Sequence, residues 1–368
     1  MEIAAAVSRA GAATPLPETI VQEAPRPGEM RVRIVAAGIC HTDVHAHAGG
    51  RSPLPIVLGH EGAGVVEALG EGVRGFSVGD HVVLSGSSCG ACRGCTTGQP
   101  TYCDDAMALS FGGQRPDGST ALAGRDGERI HSHFFGQSSF ATHAIVPERT
   151  AVKVPSDVPL EKLGVLGCGV ITGAGAVIEA LRVRAGQTIA IFGTGGVGLS
   201  AVMAAKLVGA RRIVAIDLNP ERLALARELG ATDTLPGDAP DLAAAVRAIG
   251  GNGIDFSLNT TTVASAHAAG LDCLAMHGTA GFVSAPRGDW APAMLPLLAG
   301  GRTLTGILGG SADPQRFVPM LIDYWRQGRF PFDRLLSFYP FADIATAFAD
   351  AAAGRAIKPV LLMPGMAA

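Results

Sequence analysis

The chain reads as a mixed α/β protein in which a β-rich segment of about 165 residues precedes a doubly wound parallel sheet. Three observations predict this. Short valine-rich runs separated by glycine and proline fill the first part. From Gln187 onward, strand-length apolar runs alternate with helix-length stretches. Between two such elements lies a glycine turn, Gly193-Thr194-Gly195-Gly196-Val197-Gly198.

In the first part, Met30–Ile39, Gly62–Leu69, Asp80–Ser85 and Phe140–Pro147 are the strand candidates. Prolines at 15, 17, 25, 27, 53 and 55 disfavour helix there. In the second part, Thr188–Phe192 is a strand, Gly196–Val208 a helix and Arg212–Asp217 the next strand. Asn219 can cap a helix through Leu229, with Pro220 in its first turn and Gly230 closing it. Ile254–Leu258, Gly281–Ser284 and Thr303–Leu308 continue the strand series. Helices over Gln315–Gln327 and Phe341–Ala353 and a strand over Pro359–Met363 form a tail that returns to the first domain. The expected organisation is 1–169, 170–308 and a returning 309–368.

The 368 residues leave room for two domains, and 48% hydrophobic content supplies their cores. A net charge of -3 without a basic run argues against nucleic acid and anionic membranes as partners. No apolar run approaches the ~18 residues of a spanning helix. The N-terminus, residues 1–20, lacks a basic flank before its apolar stretch and reads as a first strand and turn, not as a secretory signal, so a soluble cytoplasmic protein is expected.

Four of the seven cysteines, Cys89, Cys92, Cys95 and Cys103, lie within fifteen positions. In a long chain of this type the cluster points to a closed tetrahedral zinc site, a lobe over about 89–103, instead of disulfides. Cys40, His60 and Cys168 are three further zinc-ligand types, with the acids Asp43 and Glu61 beside them. Their wide spacing does not show that they meet. If they do, two thiolates and an imidazole leave one open position for chemistry, and an acid can orient the imidazole. Cys273, in the apolar stretch 264–275, reads as a buried, inert thiol.

The glycines Gly193, Gly195, Gly196 and Gly198 follow a strand and open a helix, which is the setting that brings a backbone close to a pyrophosphate. Asp217 ends the next strand, where a carboxylate accepts ribose hydroxyls and repels a 2′-phosphate, favouring NAD.

These motifs together are similar to those of the zinc-containing alcohol dehydrogenases of the medium-chain dehydrogenase/reductase superfamily. The resemblance rests on Gly38-Ile39-Cys40-His41-Thr42-Asp43-Val44-His45, Leu58-Gly59-His60-Glu61-Gly62-Ala63-Gly64, the four-cysteine lobe, Gly167-Cys168-Gly169, the glycine turn and Ala356-Ile357-Lys358. It implies a GroES-like catalytic domain and a Rossmann coenzyme domain. It also implies two zinc ions per chain and reversible oxidation of primary alcohols with NAD. Cys40, His60 and Cys168 would hold the catalytic zinc, with Glu61 next to it. Thr42 would take the alcohol proton, passed by way of the nicotinamide ribose to His45. His41 and Lys358 would meet the pyrophosphate, Arg222 the adenosine ribose, and Thr172 and Val197 the nicotinamide.

The resemblance also places Ser85, Phe134, Phe135, Ile307 and Leu308 at the substrate channel. The small Ser85 with phenylalanines beyond it suggests aryl or allylic alcohols. The connection 104–133 is long, as in dimeric members, so a homodimer is expected. His131 and His133 in it read as solvated. Alternatives are a thiol-dependent formaldehyde dehydrogenase, for which Arg115, Arg125 and Arg129 would supply a basic pocket, and a catalytically silent NAD-binding relative. His41 stands where several members carry arginine, which keeps its charge across the neutral range as histidine does not. A His41→Arg variant is therefore expected to hold NAD more tightly than the parent above pH ~7. Dissociation constants for NAD measured at several pH values check this, and pH-independent equality of the two proteins would refute it.

Overall fold

In the computed structural model, which describes residues 1–288 and 290–365, the chain divides into two compact units. The first comprises Met1–Cys168, Asp313–Pro319 and 333–365, and the second Gly169–Ala312 and Met320–Phe332. The tail is thus shared: the helix Pro314–Arg326 begins in the first unit and continues in the second. Phe317, Val318, Leu321 and Ile322 are all fully buried along it.

The first unit contains two sheets. In one, Ile56–Val57, Glu2–Ser8, Leu16–Gln22, Leu122–Ala123 and Arg129–Ile130 lie side by side, all antiparallel. Leu16–Gln22 was not among the valine-rich strand candidates, and it carries Pro17. The proline sits at the strand's second residue, and the neighbour Leu122–Ala123 pairs only with Val21 and Gln22, so its missing N–H breaks no bond on that side. In the other sheet, Glu29–Gly38 is central and pairs with Gly62–Leu69, His143–Pro147 and Lys358–Leu362. The last of these brings Lys358 from near the C-terminus to the inside of the unit. The strands expected from valine patterning occur as Glu29–Gly38, Gly62–Leu69, His81–Leu84 and His143–Pro147. Ile20, Ile34, Val66, Phe134, Phe140 and Leu361 pack in the core between elements.

The second unit is a six-stranded sheet, all parallel. Its spatial order is Asp233–Pro236, Arg212–Asp217, Thr188–Phe192, Ile254–Asn259, Leu274–Phe282, Thr303–Gly306. The order reverses between Thr188–Phe192 and Ile254–Asn259, and a doubly wound sheet binds its ligand at that switch point. Thr188–Phe192 is buried throughout, as a central parallel strand must be. Asn219 caps Pro220–Leu229 by accepting from the N–H groups of Glu221 and Arg222, and Gly230 ends that helix. Leu274–Phe282 starts earlier than the expected Gly281–Ser284. A bulge opposite Ile254 and Phe256, with His277 at φ 60°, disrupts the alternation that would have revealed it.

The connection 104–133 is structured. It carries the helix Ala106–Phe111 and both short strands at 122–130. Arg115 is buried in it and grips Glu29 with two bonds, Nε to Oε1 at 2.6 Å and Nη2 to Oε2 at 3.1 Å, while Nη1 reaches Glu23. His133 is buried too, bonded through Nδ1 to Ser132 at 2.7 Å and with Nε2 3.4 Å from Glu29. His131 is half-buried and bonded to the Gly113 carbonyl. The expectation that these histidines are solvated is therefore corrected: the loop folds over them as it delivers Arg115, a cationic partner for Glu29, which is buried on the central strand.

Burial alone would raise the Glu29 carboxyl, but His133 and Arg115 hold it down to about 2, against 4.5 for a free carboxyl. A depressed folded-state value contributes stability that is complete above pH 4.5 and is lost as the pH falls towards 2. Glu29→Gln should cost about 3 kcal/mol at pH 7. The gap to the parent, measured by denaturant unfolding, should narrow below pH ~4.5. A loss that stays the same down to pH ~3 would contradict the linkage.

Candidate functional site

Cys40 starts the helix His41–His47 from an extended conformation. Asp43, at the third helical position, reaches back so that its Oδ2 accepts the Cys40 N–H at 2.9 Å, one arm of a capping box. Its Oδ1 accepts from Gly59 N at 3.1 Å and from His60 Nδ1 at 2.9 Å. Asp43 is fully buried, so its charge is spent on these donors. The bond fixes the imidazole with its proton on Nδ1 and leaves Nε2 buried with no hydrogen-bond partner.

Gly59 turns the chain at φ 92°, where a side chain would also strike the Phe140 backbone. Cys168 comes from the far side, after the turn Gly164–Gly167. A side chain at Gly167 would collide with the Leu84 carbonyl, and one at Gly164 with the Glu61 carbonyl, so only glycine lets these backbones approach. One ligand-type atom each from Cys40, His60, Glu61 and Cys168 lies within 4.8 Å of the others. The residues that spacing alone could not join are thus together.

A hydrogen bond from Cys168 and the charges of Lys358 and His60 hold the Cys40 thiol well below its usual range despite burial. Burial alone would strip the proton from His60, but Asp43 and Cys40 reverse that. Burial raises the Glu61 carboxyl, opposed by Lys358, whose Nζ donates to Oε1 at 2.8 Å. An orphaned imidazole nitrogen facing two sulfurs supplies three ligands for a tetrahedral zinc and leaves one position for exchange, with the Glu61 carboxylate next to it.

The lobe is a second cluster, with the sulfurs of Cys89, Cys92, Cys95 and Cys103 within 4.8 Å of one another. Backbone N–H groups point at them: Cys89 N to Cys103 Sγ at 3.2 Å, Cys92 N to Cys89 Sγ at 3.4 Å and Asp104 N to Cys92 Sγ at 3.5 Å. The N–H of Asp104, then that of Cys95, draw the Cys92 thiol down to about 6, whereas burial pushes Cys103 up to about 12. Four sulfurs in one loop, with donors aimed at thiolate, fit a closed structural zinc site.

In the second unit the glycine turn follows Thr188–Phe192 and opens the helix Gly196–Leu207. Gly193 takes φ 90°, and a side chain at Gly198 would strike the Gly193 carbonyl. At Gly195 an added Cβ would meet nothing within 4 Å, so this backbone is open for a phosphate group. Asp217 borders an open depression with Leu218, Asn219, Pro220 and Glu221. Its Oδ2 accepts from Thr194 N at 2.7 Å and Thr194 Oγ1 at 2.8 Å, and its Oδ1 from Asn219 N at 2.9 Å. Thr194, buried and holding Asp217, was missed in the sequence, where only the glycines of the turn carry a signal. Thr172 lies on the helix Gly169–Gly175, Val197 in the first turn of Gly196–Leu207, and Arg222 in the first turn of Pro220–Leu229.

Of the remaining expected residues, Thr42 Oγ1 is 3.7 Å from Cys40 Sγ, and His41 and His45 are exposed on the same helix. Lys358, expected at the pyrophosphate, is 5% exposed and bonded to Glu61. Phe135 stacks on the His60 ring at 4.5 Å and 26°, and Phe134 meets it edge-on at 5.6 Å. Phe111, from the 104–133 connection, packs edge-on against Phe135 at 5.1 Å and completes the aromatic cluster. Nothing in its local sequence marked it. Ser85, expected near the substrate channel, is buried, with its hydroxyl donated to the Gly167 carbonyl at 2.7 Å. Ile307 is buried and Leu308 exposed. Arg115, Arg125 and Arg129, the arginines of a thiol-adduct pocket, bond instead to Glu29 and Glu23, to Glu2, and to Gln114 and the Gly118 carbonyl. Cys273 is fully buried, and burial pushes its thiol up to about 12.

Two family models match the chain: the alcohol dehydrogenase GroES-like domain over residues 26–156, and zinc-binding dehydrogenase over 196–323. A geraniol dehydrogenase of Castellaniella defragrans is 50% identical over 343 residues, covering 92% of this chain and 91% of the relative. Among solved structures, an alcohol dehydrogenase zinc-binding domain protein from Burkholderia ambifaria has 48% identity and a TM-score of 0.97, with 99% of each chain covered. Benzyl alcohol dehydrogenase from Acinetobacter calcoaceticus has 41% identity and a TM-score of 0.94, again over 99% of each.

Asp43→Asn removes the charge that orients His60 while nearly keeping its shape. It is expected to weaken zinc at the Cys40 cluster about 10- to 100-fold, read by competition with a chelator. Unchanged affinity would show that Asp43 does not orient a metal ligand.

Proposed function

We propose a substrate class and a coenzyme for a chain that belongs to the zinc-dependent alcohol dehydrogenases of the medium-chain dehydrogenase/reductase superfamily. It is an enzyme of zinc-dependent alcohol oxidation that works with a nicotinamide dinucleotide. Its substrates are aryl and allylic primary alcohols, taken reversibly to aldehydes with NAD. The observation that carries this reading is the phenylalanine cluster against His60, a flat apolar wall directly beside the ligand set. The two relatives named for their substrates act on geraniol and on benzyl alcohol, one allylic and one benzylic.

In this reading Cys40, His60 and Cys168 hold the catalytic zinc, with Glu61 close by, and Cys89, Cys92, Cys95 and Cys103 hold the second. When bound, the catalytic zinc acidifies the alcohol hydroxyl and so eases hydride loss from its carbon. Asp43 orients His60. Thr42, beside Cys40, receives the substrate proton, and His45, one turn further at the exposed face, releases it to water. Lys358 balances the buried charge of Glu61 and, with His41, serves the pyrophosphate. Thr172 and Val197 line the nicotinamide, Arg222 and Asp217 the adenosine ribose, and Ile307 and Leu308 the outer substrate channel. NAD is favoured over NADP because Asp217, fixed by Thr194, would repel a 2′-phosphate.

The same reading makes the enzyme a homodimer. Met276, Met294, Leu295 and Leu298 are each more than 60% exposed, next to the open edge strand Thr303–Gly306 of the second sheet. No helix among the described residues is long and apolar enough to cross a membrane. Seven cysteines with no disulfide among the described residues, six of them in the two zinc clusters, suit a reducing compartment such as the cytoplasm.

Metal content and NAD reduction across ethanol, benzyl, cinnamyl and geranyl alcohols test the proposal. The parent should hold about two zinc ions per chain, and Cys40→Ser about one, without turnover. kcat/KM for the aryl and allylic alcohols should exceed that for ethanol at least about tenfold, and Phe135→Ala should erode most of that margin. A variant Cys40→Ser that keeps both metals and its activity would sink the zinc assignment. Ethanol as the better substrate would sink the substrate class.

A further inference from the structure

Asp43 ties Cys40 to His60, but nothing in that set registers Cys168 against the other two. The bonds that do so converge on Gln137. It is 1% exposed, and its amide is bonded on both sides to main chain. Nε2 donates to the His60 carbonyl at 2.9 Å and to the Ser85 carbonyl at 3.1 Å, while Oε1 accepts from Gly62 N at 3.1 Å. Ser85 carries the link onward, its Oγ donating to the carbonyl of Gly167, the residue before Cys168.

We infer that Gln137, acting through Ser85, is a positioning residue that sets the separation of His60 and Cys168. The inference rests on the reading that these two residues hold zinc. Two donors and an acceptor on one planar head are what the three bonds require. Glutamate would lose both donors, and asparagine is one methylene short. The flanking backbone is committed to presenting the amide inward, since Gly136 at φ 70° and Ser138 at φ 54° both lie in the left-handed region. Ser138 is held there by donating its hydroxyl to the Val57 carbonyl and accepting the Phe134 N–H. A buried amide whose three bonds all go to backbone, two of them at His60 and Gly62 and the third at Ser85, which reaches Gly167, positions ligands without touching substrate.

The test uses full-length protein: the parent, Gln137→Met, which keeps shape and removes all three bonds, and Ser85→Ala, which breaks only the onward link. Two readouts are taken, the rate at which a chelator extracts zinc and the visible spectrum after cobalt substitution. Gln137→Met should lose the zinc of the Cys40 cluster about tenfold faster or more and shift the cobalt bands, with extraction from the four-cysteine lobe unchanged. Ser85→Ala should move both in the same direction by less. Unchanged bands and extraction rates in the variants, whatever happens to thermal stability, would reduce Gln137 to a packing residue and overturn the inference. If Gln137→Met does not fold, Ser85→Ala alone decides by the same criterion. A cobalt spectrum and a cobalt content in Cys40→Ser equal to the parent's, with nothing lost beyond the bands of the four-cysteine lobe, would show instead that the zinc reading itself is wrong, and the inference falls with it.

Discussion

One buried carboxylate organises the site. Asp43 accepts from Cys40 N, Gly59 N and His60 Nδ1, three donors on two segments that diverge in sequence. A buried charge of this kind is tolerated only when its donors are in place, so the turn at Gly59, the start of the His41–His47 helix and the orientation of His60 form together or not at all. The glycines then decide how closely the remaining pieces approach. Gly38 and Gly164 both press on Glu61, and Gly167 on Leu84. The ligand-type atoms gather because backbones there approach more closely than any side chain would permit.

A second buried charge serves the loop above the site. Glu29 lies on the central strand of the first unit, and Arg115 and His133 come to it from the long connection. His133 itself sits at φ 61°, immediately before the phenylalanines that face His60. The ion cluster therefore fixes the point from which the aromatic wall departs, and the left-handed residues that follow are held by the bonds of Gln137 and Ser138. In the second unit the equivalent economy is at Thr194, which locks Asp217 to the glycine turn with both its N–H and its hydroxyl, so that the carboxylate and the open backbone at Gly195 are one rigid feature.

Much of the fold was readable because its signals are local. Thr188–Phe192, Arg212–Asp217 and Gly62–Leu69 agree residue for residue between sequence and structure, since runs of valine and isoleucine bounded by glycine or a charge mark a strand at both ends. Asn219, Pro220 and Gly230 set a helix by chemistry confined to its own termini. The elements that escaped lack such signals: Leu16–Gln22 hides behind a proline that a neighbouring register makes harmless, and Leu274–Phe282 behind a bulge.

What the sequence by itself determined is therefore the parallel sheet with its glycine turn, the four-cysteine lobe, whose sulfurs come from a single short segment, and the candidates for binding zinc or a dinucleotide. Only the tertiary structure decided that Cys40, His60, Glu61 and Cys168 meet, that Lys358 is buried against Glu61, that the Ser85 hydroxyl bonds to the Gly167 carbonyl, and that Phe111 joins Phe135 beside His60. The physical reason is the same in each case. These contacts join segments tens to hundreds of residues apart, and their energy comes from desolvated charges and close-packed backbones that exist only after the strands have paired.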